Sequence, residues 1–218
     1  MANANKKLKQ NEERFEQQRQ DEAAEKAAAI KAENRKTHIQ NAIRAVLYAA
    51  IYCCLTLLMQ RIPLGQFNFS FGMFQCRLTE AMMGLVFFDP AAAPGIIIGC
   101  FAADLFGAGL YDAMVGTVAS MFGFYFIKFL AERGGKPITG LAMHALINAV
   151  MLGVMYSYSA FYVDYGMLLV FAAILVGELI AAVGGGMIVY KIAGRVWEDI
   201  LSQPKQETEP TPDIDSML

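Results

Sequence analysis

The sequence predicts an all-α integral membrane protein with six transmembrane helices, on three observations. Hydrophobic residues make up 56% of its 218 residues and are concentrated between about residue 41 and residue 195, which excludes an ordinary soluble domain. Within that region Gly, Pro and short polar turns divide the apolar sequence into pieces that cross a bilayer or nearly do. Lys and Arg between the pieces gather on one side, the pattern that sets orientation in a membrane.

Residues 1–40 form a charged extension, rich in Lys, Arg, Glu, Gln and Ala, that favours helix by propensity but has no apolar stripe to bury. It is expected to be helical or disordered. Its nine basic residues are offset by seven acidic ones, which argues against a nucleic-acid arm. With no apolar core ahead of the first span no cleavable signal peptide is expected, and the N-terminus is expected in the cytoplasm.

The first span is expected at 41–59. It carries Ala45 and Ala49, whose small side chains four apart let two helix backbones approach closely, either inside the protein or against a partner. The loop at 61–75 holds Pro63, Gly65 and Gly72 with Phe67, Phe69, Phe71 and Phe74, too apolar for a solvated linker. It reads equally as a lid or as an interfacial anchor. Short second and third spans follow at 77–88 and 91–106, divided by Asp89 and Pro90. The fourth is expected at 110–130, the fifth at 138–158 and the sixth at 165–193. Residues 196–218 are polar and acidic with Pro204, Pro210 and Pro212, and are expected to be a disordered cytoplasmic tail.

With the N-terminus inside, Lys128, Arg133, Lys136, Lys191, Arg195 and Lys205 join the first tail in the cytoplasm, leaving only Arg61 and Arg77 outside. Four charged residues then stand near the outer face within apolar sequence: Arg77, Glu80, Asp104 and Asp112. Charge in such a place is costly and marks a site. Arg77 and Glu80 are three apart, so they share a helix face and are expected to pair. Asp104 and Asp112 bracket the glycine turn at 106–109, which doubles the chain back and brings both carboxylates to one end. Asn148 and Glu178 lie nearer the middle of the bilayer. Four carboxylates against one guanidinium suit a ligand that is cationic or rich in hydrogen-bond donors, and the neighbouring Phe and Tyr suit a flat aromatic ring. The cysteines, Cys53, Cys54, Cys76 and Cys100, have no CxxC spacing and indicate neither a metal site nor a disulfide framework.

The stretch CRLTEAMMGLVFFDPAAAPGIIIGCFAADLFGAGLYDAMVGTVAS resembles the signature region of the QueT-type queuosine-precursor membrane proteins. These are substrate-binding S components of energy-coupling-factor (ECF) transporters. HALINAVMLG and LVGELIAAV resemble the fifth and sixth helices of that family. The resemblance spans roughly residues 41–192 and implies an S-component bundle that captures a 7-deazaguanine base. It further implies assembly with a transmembrane coupling protein, the T component, and two ATP-binding subunits in the cell membrane. It carries Arg77, Glu80, Asp104, Asp112, Asn148 and Glu178 over as the polar ligand-binding positions, although Asp104 stands where the family has Asn. It also makes Ala45 and Ala49 the docking face for the coupling protein. No cofactor is implied, and the absence of GxxxxGK[ST] places any ATP coupling on another polypeptide.

Two other function classes compete. His144 and Asn148 resemble the HxxxN element of membrane CAAX-type proteases, but the paired-glutamate motif and a second intramembrane histidine are missing, since His38 lies in the charged extension. A lone histidine in a bundle reads as a packing residue, so no catalytic residue is assigned. A stand-alone carrier or channel for a small polar aromatic solute would instead transport without ATPase partners.

Overall fold

A computed structural model describes residues 2–62, 70–72, 75–158 and 163–202. Helix α1 (Ala2–Gln60) is followed by a 3-10 helix (Leu78–Phe87), α2 (Ala92–Gly107), α3 (Leu110–Glu132), α4 (Pro137–Ser157) and α5 (Met167–Glu178). A π-helical segment (Leu179–Gly185) joins α5 to α6 (Gly186–Ser202) without a break. No strand occurs among the described residues. Four helical stretches are long and apolar enough to cross a membrane: Arg19–Gln60, Leu110–Glu132, Pro137–Ser157 and Met167–Asp199. The 3-10 helix and α2 complete the six helices as shorter apolar elements.

Helix α1 is 59 residues long because no Gly or Pro interrupts it before Pro63. The first span is therefore the last third of one rod about 90 Å in length at 1.5 Å per residue. Residues 19–40 are exposed, as a helix with no apolar stripe must be.

The second element is a 3-10 helix rather than an α-helix. Ten residues rise about 20 Å at 3-10 pitch, against about 15 Å at α pitch, so the tighter winding stretches a short segment further across the bilayer. Residues three apart eclipse on such a helix, which puts Glu80 and Met83 in one inward row and buries both. The narrow helix also seats against α6, where a side chain on Gly84 would stand 2.3 Å from the Gly186 carbonyl oxygen.

The Asp89-Pro90 turn is tied down on both sides. Asp89 accepts from the Ala91 amide at 2.8 Å and from the Tyr48 hydroxyl at 2.9 Å, and it pairs with Arg44 at 3.3 Å. Beyond it α2 lies on α1, with Gly95 and Gly99 against Ala45 and Ala49. A Cβ on either glycine would meet the facing alanine's carbonyl oxygen at 2.5 or 2.7 Å. The small-residue stripe thus makes an internal crossing in which the alanine backbones are used, while both alanines remain half-buried. Helices α2 and α3 fold back through Gly109, whose φ of 110° is open to glycine and strained for other residues. At the C-terminus α6 runs on to Ser202, so residues 196–202 are helical rather than part of a disordered tail. VWEDILS contains no helix breaker, and the first follows at Pro204. Residues 203–218 lie outside the described residues.

In the apolar part of the chain large hydrophobic side chains face outward while a group of charged and polar ones is buried beside the apolar core. Val46, Leu47, Phe106, Tyr111, Phe122, Tyr125, Leu168 and Ile188 are each more than half exposed, whereas Arg77, Glu80, Asp104, His144, Asn148 and Glu178 are each buried. Lipid on the outside accounts for that inversion, because a bilayer solvates apolar side chains and forces polar ones to find partners inside.

Candidate functional site

Arg77 stands at the mouth of the 3-10 helix, 2% exposed. Its guanidinium meets Asp104 of α2 through two contacts of 3.4 Å, NH1 to Oδ2 and NH2 to Oδ1. Nε donates to the Ser70 carbonyl at 3.2 Å, and the Phe71 ring lies 5.4 Å from the guanidinium carbon. The expected Arg77–Glu80 pair is only a peripheral contact of 4.0 Å. Two features redirect Arg77. The Glu80 carboxylate is already occupied, and Gly116 of α3 leaves the space that Asp104 fills, since a Cβ there would come within 2.4 Å of Oδ2.

Glu80 instead accepts from the Tyr52 hydroxyl at 2.5 Å and meets His144 Nε2 at 2.8 Å. His144 and Asn148 are one turn apart on α4, so both side chains face the 3-10 helix and α5. The Asn148 amide nitrogen is 3.0 Å from His144 Nε2 and 3.5 Å from Glu178 Oε2. A row of close buried polar contacts results, Tyr52–Glu80–His144–Asn148–Glu178, drawn from α1, the 3-10 helix, α4 and α5, in which His144 Nε2 either donates to Glu80 or accepts from Asn148. His144 reaches its place because Gly123 of α3 has no side chain. A Cβ at that glycine would be 2.0 Å from Nδ1. Glu178 is the last residue of α5, immediately before the π segment, a kind of distortion that is frequent at functional sites.

Asp112, in the first turn of α3, is joined to the rest less directly. It accepts from the Tyr156 hydroxyl at 2.6 Å, and the Gly72 amide donates to that hydroxyl at 3.4 Å. The loop ahead of Arg77 therefore folds inward where it is described. Ser70 donates to the Thr56 carbonyl at 2.6 Å, and Phe71 is buried against Gly107. Pro63, Gly65, Phe67, Phe69 and Phe74 lie outside the described residues.

All six sequence-predicted ligand residues are buried. Arg77, Glu80 and Asp104 form one group, Glu80, Asn148 and Glu178 are linked through His144, and Asp112 keeps a separate tyrosine partner. Four carboxylates against one guanidinium do not leave three acids unpartnered. Asp104 has Arg77 and Glu80 has Tyr52 and His144, whereas Glu178 Oε1 is a buried carboxylate oxygen with neither a hydrogen-bond nor an ion-pair partner among the described residues. His144, read from sequence as a packing residue, is the link in the chain. Its one-turn spacing from Asn148 was the available signal, whereas nothing local marks Tyr52 or Tyr156. Ligand atoms of Glu80, His144 and Glu178 also lie within 4.8 Å of one another, a spacing at which a divalent cation could be held.

The family whose model matches the chain is described as QueT transporter, and the match covers residues 42–195, well over half of the sequence. It begins after the charged extension and takes in every residue of the buried polar chain. No curated protein and no solved structure matches the sequence.

Proposed function

Because the chain belongs to the QueT transporter family and is a membrane-embedded transport protein, we propose that it is the substrate-binding S component of an ECF-type importer. Its ligand is a queuosine precursor, a 7-deazaguanine base. The observation that carries this reading is the buried chain from Tyr52 to Glu178, which ends in a carboxylate oxygen with no hydrogen-bond partner. A carboxylate in that position accepts parallel N–H bonds from a guanine-type edge, and a second carboxylate holds a cationic substituent on the ring. Arg77 and Asp104 neutralise one another, which holds the short 3-10 helix and α2 in register around the site. Asn148 and Glu178 then face the ligand, with Asp112 available to a charged substituent.

The domain plan follows: residues 1–40 as a cytoplasmic extension, 41–195 as the transmembrane substrate-binding domain, and the remainder as a cytoplasmic tail. The Lys and Arg distribution supports cytoplasmic termini in the cell membrane. Coupling requires a T component and two ATP-binding subunits, and the half-buried Ala45 and Ala49 are the proposed docking positions. Mass spectrometry of small molecules released from gently purified protein tests the ligand class. A 7-deazapurine is the expected species, and a vitamin of another ring system would refute it.

A further inference from the structure

Among the described residues, the buried polar atoms that lack a hydrogen-bond partner separate into those explained by packing and those that are not. Arg77 NH2 and Asp104 Oδ1 lie 3.4 Å apart as an ion pair. His144 Nδ1 is set against the bare backbone of Gly123. Of the rest, which include Arg44 Nε and Thr117 Oγ1, Glu178 Oε1 and both amide atoms of Gln75 belong to residues that backbone packing brings together. Gln75 is 3% exposed, and a primary amide that deep with neither oxygen nor nitrogen satisfied is a penalty a folded protein normally avoids.

Backbone packing brings Gln75 to Glu178. The Gln75 carbonyl oxygen sits on Gly177, where a Cβ would be only 1.7 Å away, and Cys76 Cα is 3.5 Å from the same point. Gly177 directly precedes Glu178, so the absence of a side chain on α5 lets the segment entering the 3-10 helix settle on the turn of α5 that carries Glu178. Between them the two residues hold two unpartnered acceptors, Glu178 Oε1 and Gln75 Oε1, and one donor group, Gln75 Nε2. The complementary edge carries two donors and one acceptor. A 2-amino-6-oxo ring has that set in its exocyclic amine, its ring N–H and its carbonyl. A 6-amino ring, or a 6-oxo ring without the amine, leaves one of the protein acceptors unpaired.

We propose that Gln75, together with Glu178, reads the 2-amino-6-oxo edge of the base and is a specificity-determining residue of the site. This rests on the reading of the ligand as a 7-deazaguanine and deepens it. The test titrates 7-deazaguanine and 7-deazahypoxanthine, which lacks the 2-amino group, into the purified full-length protein, its Gln75→Leu variant and its Gln75→Glu variant. Thermal melting of each ligand-free protein runs alongside. Wild type should prefer 7-deazaguanine, and both variants should bind it at least about tenfold more weakly, the consequence of losing one good hydrogen bond to a desolvated site. Ligand-free Gln75→Leu should melt at or above wild type, because it removes an unsatisfied amide.

Wild-type binding with Gln75→Leu and Gln75→Glu both within about twofold would overturn the role of Gln75 and leave the ligand assignment standing. Melting temperatures that fall in both variants together with affinity would make Gln75 structural and also overturn it. Failure of wild type to bind 7-deazaguanine at all would overturn the ligand assignment and this inference with it.

Discussion

Arg77 and Asp104, 27 residues apart in sequence, form a two-contact ion pair with side chains 2% and 0% exposed. A pair so placed is held by geometry, and breaking it leaves a charge stranded where neither water nor a second cation reaches it.

Arg77→Ala should therefore destabilise the protein by about 3–5 kcal/mol, the usual consequence of leaving one member of a buried pair alone. Asp104→Asn should cost less because it keeps the side chain's shape and hydrogen-bonding capacity. Unfolding in detergent measures both. A loss below about 1 kcal/mol for Arg77→Ala would show that the pair is open to water.

Gly123→Ala should disable the site through His144. The new methyl would meet Nδ1 at 2.0 Å, and an imidazole cannot bend away as a flexible chain end does, so the ring must leave Glu80 or α3 must move. Affinity for 7-deazaguanine should fall by about tenfold or more while the protein still reaches the membrane. Unchanged affinity would remove the Glu80–His144 contact from the account.

Ala45→Trp separates binding from transport. The ligand site is built from the 3-10 helix and α2 to α5, with only Tyr52 added from α1, so base binding by the purified subunit should stay close to wild type while uptake by cells is lost. Loss of both would mean that the alanines serve only the internal crossing with Gly95 and Gly99. Undiminished uptake would favour a carrier that works without a docked coupling protein.

Chelation examines the alternative use of Glu80, His144 and Glu178. If their role is to hydrogen-bond a base, exhaustive treatment with EDTA should leave the 7-deazaguanine titration unchanged. A loss of binding restored by zinc would convert the cluster into a metal site.

The six helices were legible because apolar run length and breakers are local signals, and Gly109 and Pro90 punctuate where the chain turns. The winding was not. Leu78–Phe87 has the composition of any apolar helix, and only its packing against Gly186 and the distance it covers select the 3-10 form. Helix α1 was longer than its membrane span for the plain reason that nothing before Pro63 ends it.

Site residues divide in the same way. Charges inside apolar sequence singled out Arg77, Glu80, Asp104, Asp112 and Glu178 as candidates before any contact was known, and all five are buried. Their partners were another matter, since spacing favoured Glu80 for Arg77, whereas a glycine at position 116 of a different helix admits Asp104. Tyr52 and Gln75 became visible only through tertiary contacts, and His144, one turn from Asn148, was read as packing until its contact with Glu80 was seen. A single tyrosine or glutamine in apolar sequence has no pattern to distinguish it from packing.

The central claim, that this chain alone captures a 7-deazaguanine base through its buried carboxylates, is tested most directly by calorimetric titration of 7-deazaguanine into the purified wild type and its Glu178→Gln variant. Wild type should bind tightly, and the variant should lose roughly 1.5–3 kcal/mol, the worth of a hydrogen bond to a charged group. Equal or better binding of riboflavin or biotin by wild type, or an affinity for 7-deazaguanine untouched by Glu178→Gln, would contradict it.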